Sequence, residues 1–198
     1  MGPQSFRREK DIPSEKFLIA QVGVRDWKGW KELVDATADL IRSHSAAHLA
    51  LIGCRNASES EAVTDYASAR GIREHISAVE YRPDMPSVFA ACDLVVDASW
   101  AGTGITGTIR EAMAMQKPVI ATDCGGNGEL VSSPDVGWLI PPRNVKALAD
   151  AMRDVIDHRE RASTVARNAR RRVVRGFSKE LRISKLENLY SSILDLRF

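Results

Sequence analysis

Two glycine-rich segments, each directly after a short apolar run, hold most of the residues that could do chemistry. Residues 100–108 follow the apolar run at 94–96 and precede a helical segment that contains Glu111. Residues 124–128 follow a second apolar run at 119–121. A glycine-rich loop that opens a helix presents free N–H groups and the positive end of the helix dipole, which favours phosphate binding. Glu111 lies one turn into that helix, where its carboxylate could accept hydrogen bonds from sugar hydroxyl groups.

A pair of cations lies in another loop, between the first predicted strand and the first predicted helix. Arg25 and Lys28 stand in the segment GVRDWKG at residues 23–29. Arginine offers a planar fork for phosphate oxygens and lysine a mobile point charge, so with a helix N-terminus the two could neutralise a diphosphate. The alternative is that both are solvated charges, since basic residues are common in exposed loops.

The spacing of apolar residues predicts alternating strands and helices along most of the chain. Six strands are predicted, at residues 17–22, 48–52, 76–81, 94–96, 119–121 and 137–140. Helices are predicted at residues 31–43, 58–70, 83–92, 109–115, 144–157, 161–174 and 178–194.

This alternation predicts an α/β domain, with a three-layer, Rossmann-like, doubly wound parallel sheet of about six strands and C-terminal helices. Ligands of such sheets bind outside the carboxyl ends of the strands, where the loops at 23–29, 100–108 and 124–128 all lie. We expect residues 17–198 to form this domain. Residues 1–16 are polar and turn-rich, and we interpret them as a linker or an added start of the chain.

Composition narrows the classes of function. The chain has 198 residues with 28 basic and 26 acidic side chains, and this near balance gives no indication of a nucleic-acid partner. No apolar run approaches the ~18 residues that a membrane span needs, and the N-terminus has no apolar signal core. Three scattered cysteines, without metal-ligand spacing, indicate free thiols and a cytoplasmic location.

The run REAMAMQKPVIATDCGGNGELV at residues 110–131 resembles the signature of retaining glycosyltransferases of the GT-B fold, the glycosyl transferases group 1 or family 4. Residues 111–114, 118–121 and 125–129 match the family pattern closely. The resemblance extends over about residues 17–195 and belongs to the C-terminal, donor-binding half of such enzymes. It implies that the N-terminal acceptor domain is absent from this chain.

The resemblance also implies roles for individual residues. Glu111 would hold the ribose hydroxyls, although a glutamate in a first turn is ordinarily there for the helix dipole. Lys28 and Arg25 would neutralise the diphosphate as it leaves, although the family often has more residues between its arginine and lysine. The other residues implied in donor binding are Gly23, Tyr81, Arg82, Gly104, Ile105, Thr106, Gly107, Thr108, Gly125, Gly126 and Glu129.

These further residues also have plainer interpretations. Tyr81 and Arg82 would lie near the base, whereas the glycines could serve tight turns that need a positive φ. Glu129 could be a capping carboxylate. Thr103 departs from the family, which has at this position a glutamate that touches the transferred sugar. A threonine is shorter and uncharged, so either a water fills the gap, donor recognition differs, or activity is lost.

The predicted function is therefore donor binding in a retaining glycosyltransferase of polysaccharide biosynthesis. The donor would be a nucleoside diphosphate sugar, with UDP or GDP, and the acceptor a saccharide or a lipid-linked molecule. We expect no cofactor and no metal, and no transfer by this chain alone. The alternatives are a stand-alone nucleotide-binding or regulatory module, which Thr103 favours, and a sugar-nucleotide epimerase, which the scarcity of acid–base groups disfavours. No G-x-G-x-x-G follows the first strand, which argues against a nicotinamide cofactor.

A tract with seven arginines spans residues 159–175. With interspersed valines it could form a basic amphipathic helix on an anionic membrane, at the inner face. The alternative is a solvated helix face, or one that contacts the missing domain.

Overall fold

The computed structural model describes residues 3–102 and 104–195, and one parallel sheet organises them. Its strands are β1 (Phe17–Val22), β2 (Ala47–Cys54), β3 (Ile76–Glu80), β4 (Leu94–Asp97), β5 (Val119–Thr122) and β6 (Trp138–Ile140). Their order across the sheet is β3-β2-β1-β4-β5-β6, and every neighbouring pair is parallel. The predicted Rossmann-like, doubly wound fold is therefore confirmed.

The helices alternate with these strands. They are α1 (Pro3–Glu9), α2 (Trp30–Leu40), α3 (Ala57–Ala69), α4 (Met85–Ala91), α5 (Gly107–Ala114), α6 (Asn127–Leu130), α7 (Val145–Asp157), α8 (Arg159–Gly176) and α9 (Lys179–Asp195). Three of them begin at a side-chain N-cap: Asn56 accepts from the N–H of Glu59 at α3, Asn144 from that of Ala147 at α7, and Ser178 from that of Leu181 at α9.

Both faces of the sheet are buried, as parallel strands require. Ile19 of β1 points to a core completed by α2, α3 and α7. Its neighbour Leu18 points to a second core on the opposite face, completed by α1, α4, α5 and α8. This alternation fixes the register of the central strands and hence the height at which their last residues meet solvent.

The start of the chain belongs to this domain. Phe6 of α1 is completely buried in the second core. Arg7 donates to the carbonyl oxygen of Ala91 at 3.0 Å and pairs with Asp93 at 2.8 Å. The interpretation of residues 1–16 as a linker is therefore wrong for the described segment from residue 3 to the buried Ile12, because this segment closes one face of the sheet.

The strand order also fixes where a ligand can bind. β1 and β4 are neighbours, but the helix after β1 covers one face of the sheet and the helix after β4 covers the other. The two loops diverge there and leave a crevice beyond the carboxyl ends of the strands. In the described part of the chain, no helix combines the length and the apolar character needed to cross a bilayer.

Candidate functional site

A cavity of about 550 Å³ occupies this crevice. It is lined by residues of three loops, Trp27, Lys28, Ser99, Ala101, Gly102, Gly104, Ile105, Thr106, Gly107, Thr108, Glu111, Cys124 and Asn127. Lys28, Glu111 and the predicted stretch from Gly104 to Thr108 are thus brought together. Thr103, which the sequence singles out, lies outside the described residues.

The side chain of Lys28 crosses the cavity floor. Its stem packs against Gly23, where an added Cβ would lie 3.3 Å from the Lys28 Cγ. Its ammonium nitrogen lies 4.7 Å from the centre of the Trp27 ring and 3.6 Å from Oδ1 of Asp97. The predicted role of Gly23 is therefore indirect, because it makes room for the lysine.

The glycine after Lys28 brings its loop close to the end of β4. Gly29 has a φ of +66°, and a Cβ there would collide with the carbonyl oxygen of Ala98. Gln21, fully buried in β1, joins the same two segments: its amide donates to the carbonyl of Lys28 at 3.1 Å and accepts from the N–H of Ala98 at 3.0 Å. Close backbone packing thus sets the position of the lysine.

The N-terminus of α5 opens onto the cavity. Thr106 is its N-cap, but its hydroxyl does not bond to a backbone N–H of the helix. The hydroxyl donates to Asp97 Oδ2 at 2.9 Å instead. The first N–H groups of a helix have no partner within it, so those of Gly107 and Thr108 remain available to an anion. Glu111 is exposed one turn further along, with Oε1 3.8 Å from the place of a Cβ at Gly107.

The second glycine turn supports the first loop. Gly125 has a φ of +56°, and a Cβ there would lie 2.9 Å from the carbonyl oxygen of Gly102. A Cβ at Gly126 would lie 2.7 Å from the side chain of Ile105, and the N–H of Gly126 donates to Gly104 at 3.1 Å. Both glycines therefore let the second turn pack closely against the loop after β4, and neither lines the cavity itself.

A buried carboxylate beneath the cavity is the residue that the sequence reasoning missed. Asp97 ends β4 and is 2% exposed. It accepts hydrogen bonds from Ser99 at 2.5 Å, from Thr106 at 2.9 Å and from the Asn127 amide at 3.0 Å. Asn127 also donates to the carbonyl of Thr122 at 3.1 Å, and its own carbonyl oxygen has no partner among the described residues. A carboxylate at the end of an apolar strand, next to a glycine loop, was the available signal.

Residues 4–172 match the family described as Glycosyl transferases group 1. The chain belongs to this family. A lipopolysaccharide core biosynthesis mannosyltransferase, LpsB of Rhizobium meliloti (strain 1021), is 32% identical over 189 residues. The match covers 92% of this chain and 53% of that protein. A putative glycosyltransferase of Bacillus subtilis (strain 168), YtcC, is 27% identical, with 96% of this chain and 49% of the relative covered.

Solved structures agree with this membership. A glycosyltransferase from Rickettsia africae ESF-5 has a TM-score of 0.90 and 25% identity, over 97% of this chain and 52% of that chain. HepE of Anabaena, in complex with UDP, has a TM-score of 0.88 and 26% identity, over 96% of this chain and 52% of that chain. The predicted resemblance to GT-B glycosyltransferases is confirmed, and the chain spans about half the length of the curated relatives it matches.

Arg25 does not line the cavity that contains Lys28. Its guanidinium contacts Glu59 at 3.1 Å and donates to the carbonyl of Val24 at 2.6 Å. Arg55 binds the same glutamate. The hydrogen bonds from Arg55, and to a smaller extent the charge of Arg25, lower the pKa of Glu59 to about 2. The structure therefore separates the two predicted phosphate ligands, with Lys28 in the cavity and Arg25 in a neighbouring one of about 650 Å³.

Three other predicted residues line different cavities. Tyr81 is 78% exposed and Arg82 is held by Asp84 and Glu9, at 2.8 and 2.5 Å, in a cavity of about 700 Å³. Glu129 lines a fourth cavity, of about 560 Å³, beside α9. Its main-chain oxygen accepts from Arg172.

The arginines of α8 bind the domain itself in several places. Arg170 donates to the carbonyl of Ala114, and Arg172 to that of Leu130 at 2.9 Å. Of the three valines that a membrane-lying helix would insert, Val165 and Val173 are 5% and 4% exposed because they pack in the cores, and Val174 is 57% exposed. The membrane interpretation of residues 159–175 therefore lacks the apolar face that it requires.

Within residues 3–102 and 104–195, which the structure describes, no three His, Cys, Asp or Glu side chains form a cluster that could hold a metal ion.

Proposed function

We propose that this chain is the donor-binding half of a retaining glycosyltransferase that uses a nucleoside diphosphate sugar. The observation that carries the proposal is the cavity between β1 and β4, where an ammonium group, a helix N-terminus and an exposed carboxylate face one space. The first two suit a diphosphate, and the third suits vicinal hydroxyl groups.

In this proposal the diphosphate lies between the Lys28 ammonium and the N–H groups at the start of α5. Charge builds up on the diphosphate as the bond to the sugar breaks. Groups that are already oriented toward that charge stabilise the transition state without reorganising. Glu111 holds the ribose, and the sugar is transferred with its anomeric configuration kept, as the family resemblance implies.

Calorimetric titration with UDP, GDP and ADP tests donor binding. We expect one diphosphate to bind, and the Anabaena relative whose structure contains UDP makes UDP the first choice. Lys28→Ala and Glu111→Ala should each weaken binding by about 10- to 100-fold, since a charged hydrogen bond contributes about 1.5–3 kcal/mol. Lys31→Ala and Glu61→Ala are matched controls because neither residue lines the cavity. Binding that all four substitutions leave unchanged contradicts the proposed site.

We propose that acceptor binding resides in the half of the relatives that this chain does not match. The last helix supports this, because α9 carries exposed large apolar side chains at Ile183, Leu186, Leu189, Tyr190, Ile193 and Leu194. Large exposed apolar patches mark interaction surfaces. The role of LpsB in lipopolysaccharide core biosynthesis supports a saccharide or lipid-linked acceptor and a part in polysaccharide biosynthesis. This chain alone would bind nucleotide and transfer no sugar.

A nucleotide-binding module without catalysis is the second candidate. Thr103 favours it, because a threonine cannot hold two sugar hydroxyls as the family glutamate would. A transfer assay on a protein that carries both halves separates the two functions. Turnover with the donor that binds here supports the enzyme, and binding without turnover supports the module.

A further inference from the structure

Asp97 is a buried carboxylate at the point where all three loops of the donor cavity meet. Its Oδ2 accepts from Thr106 in the loop after β4 and from Asn127 after β5. Its Oδ1 accepts from Ser99 and faces Lys28, which comes from the loop after β1. Burying a carboxylate is costly unless it is paired and hydrogen-bonded, so a hydrophobic residue at the end of β4 would be the simpler choice for stability alone.

The distance between Asp97 and Lys28 carries the inference. Their charged atoms are 3.6 Å apart, which is close enough for strong attraction but longer than a hydrogen bond. Ser99, Thr106 and Asn127 already occupy the carboxylate oxygens. Within the described residues, the Lys28 ammonium donates no hydrogen bond to protein. The ammonium is therefore held by the charge of Asp97 and by the Trp27 ring, whose centre lies 4.7 Å away, while its N–H groups donate no hydrogen bond to the described residues.

We propose that Asp97 is the positioning residue for Lys28. The Asp97 carboxylate holds the Lys28 ammonium at the cavity. Its oxygens already accept hydrogen bonds from Ser99, Thr106 and Asn127, so the ammonium stays 3.6 Å away and does not donate to it. The donors of the lysine stay available for phosphate oxygens. Since lysine has a flexible four-carbon stem, a fixed counter-charge removes the need to order it when the ligand arrives. This inference rests on the proposed function, because it names the group that prepares the diphosphate site.

A purely structural role for Asp97 makes a different prediction. The same hydrogen bonds tie three loops together, and losing them would disturb the cavity whether or not Lys28 is present. If Asp97 acts through Lys28, its effect on diphosphate binding disappears once the lysine is gone. A double-mutant cycle separates the two roles.

The cycle uses Asp97→Asn, Lys28→Met and the double variant, titrated with UDP. Asparagine keeps the shape and methionine keeps the stem. We expect Asp97→Asn to weaken UDP binding about tenfold in the parent. In a protein that already carries Lys28→Met, we expect Asp97→Asn to have no further effect. Equal losses in both backgrounds, or unchanged or tighter binding by Asp97→Asn alone, overturn the proposal. Asp97→Ser repeats the test if asparagine unfolds the domain.

A second measurement needs no ligand. In lysine labelled with ¹³C at Cε, the two Hε protons of a held side chain give separate NMR signals, whereas a mobile side chain gives one. Lys28, assigned by its loss in Lys28→Met, should show separate signals that merge in Asp97→Asn. Lys31, 49% exposed in its side chain, is the internal reference and should not change. Merged signals in the parent overturn the positioning role. If the parent shows separate Lys28 signals but binds none of UDP, GDP and ADP, the proposed function is wrong and the positioning of Lys28 by Asp97 still stands.

Discussion

At the scale of single residues, Thr106 shows how the site combines two tasks in one side chain. It is the N-cap of α5, yet its hydroxyl donates to Asp97 and leaves the helix N–H groups open. A threonine that capped its own helix in the usual way would compete with a bound phosphate for the same donors. The exposed helix end is thus a consequence of where one hydroxyl points.

Thr106→Val removes this hydroxyl at nearly constant shape. We expect the free energy of unfolding to fall by about 1–3 kcal/mol, because a buried carboxylate loses a partner. Thr106→Ser keeps the hydroxyl and should restore most of the loss. Urea denaturation of the three proteins measures it. A valine variant as stable as the parent contradicts the hydrogen bond to Asp97.

The three cysteines should differ sharply in reactivity. Cys54 and Cys92 are each 1% exposed, and burial raises the pKa of the Cys92 thiol to about 12. Cys124 is partly exposed and lines the donor cavity. At about pH 8 we expect Ellman's reagent to modify one thiol quickly and the other two only after unfolding.

Saturating UDP should slow the fast phase, because the ligand covers Cys124. Cys124→Ser identifies that phase by abolishing it. A fast phase that keeps its rate when calorimetry shows bound UDP would place the nucleotide elsewhere.

The presence of Lys28 and Glu111 at one cavity was predictable, because each stands in a motif with a recognisable local context. The loop sequence predicts one phosphate site for Arg25 and Lys28, whereas the structure places them in different cavities. The direction of a long side chain depends on a partner far along the chain, which for Arg25 is Glu59. Asp97 was not predicted from the sequence, for a related reason. A single aspartate after a strand is common, and only the convergence of three loops gives this one four neighbouring groups.

At the scale of elements, Gly29 fixes how the loop after β1 approaches β4. Gly29→Ala puts a Cβ against the carbonyl oxygen of Ala98 at a positive φ. Gly71 is the matched control, since its φ is +69° and nothing lies within 4 Å of its added Cβ. We expect Gly71→Ala to cost about 1 kcal/mol of unfolding free energy, for the backbone alone, and Gly29→Ala clearly more.

Gly29→Ala should also weaken UDP binding, because the collision moves the neighbouring Lys28. Gly71→Ala should leave that affinity unchanged. Chemical denaturation and calorimetry on both variants measure the two effects. Equal losses of stability would mean that only backbone strain matters at Gly29.

The pairing of β2 with β3 contains a pH-sensitive group. His48 is 7% exposed, and its Nε2 lies 2.8 Å from the Ser77 hydroxyl. Burial, followed by the charges of His75, Lys16 and Arg7, lowers the pKa of His48 from 6.5 to about 4. The folded state therefore binds fewer protons than the unfolded chain in this range, and the stability contributed by neutral His48 falls as the pH drops from 6.5 toward 4.

His48→Gln removes the titration and keeps a polar partner for Ser77. The difference in unfolding free energy between parent and variant should shrink by roughly 2–3 kcal/mol over this interval and level off below it. Urea denaturation at several pH values measures that difference. A constant difference contradicts a lowered pKa for His48.

Strands and helices were predictable to within a few residues where apolar periodicity was strong, as in β1 and α7. α1 was not, because its segment is polar and turn-rich apart from Phe6, and the burial of that one ring depends on a groove that other elements create. Local sequence cannot show such a tertiary contact.

At the scale of the whole molecule, the sheet order supports the proposal that this domain binds the diphosphate and that transfer needs a second half. The cavity lies beyond the carboxyl ends of β1 and β4, and we expect its opposite wall to come from a second half of the protein. The chain spans about half of its curated relatives, which supplies the natural candidate for that wall. We expect the second half to attach through the exposed apolar residues of α9.

In α9, Ile183, Leu186, Tyr190 and Ile193 recur at a spacing of three and four residues, so they share one helix face, and all are exposed. We expect amide hydrogens in this helix to exchange rapidly in this chain alone and slowly in a protein that carries both halves, because the second half covers the face. Replacing Ile183, Tyr190 and Ile193 by serine should abolish that protection and lower sugar transfer by the two-half protein.

The same replacements should leave the UDP affinity of the isolated chain unchanged, because none of these residues lines the donor cavity. Val174→Ser on α8 is the matched control, since Val174 is also exposed and lies outside that helix face. Hydrogen exchange that is equally fast in both proteins would mean that α9 is not the joint, and the wall opposite Lys28 would then have to attach through another surface of the domain.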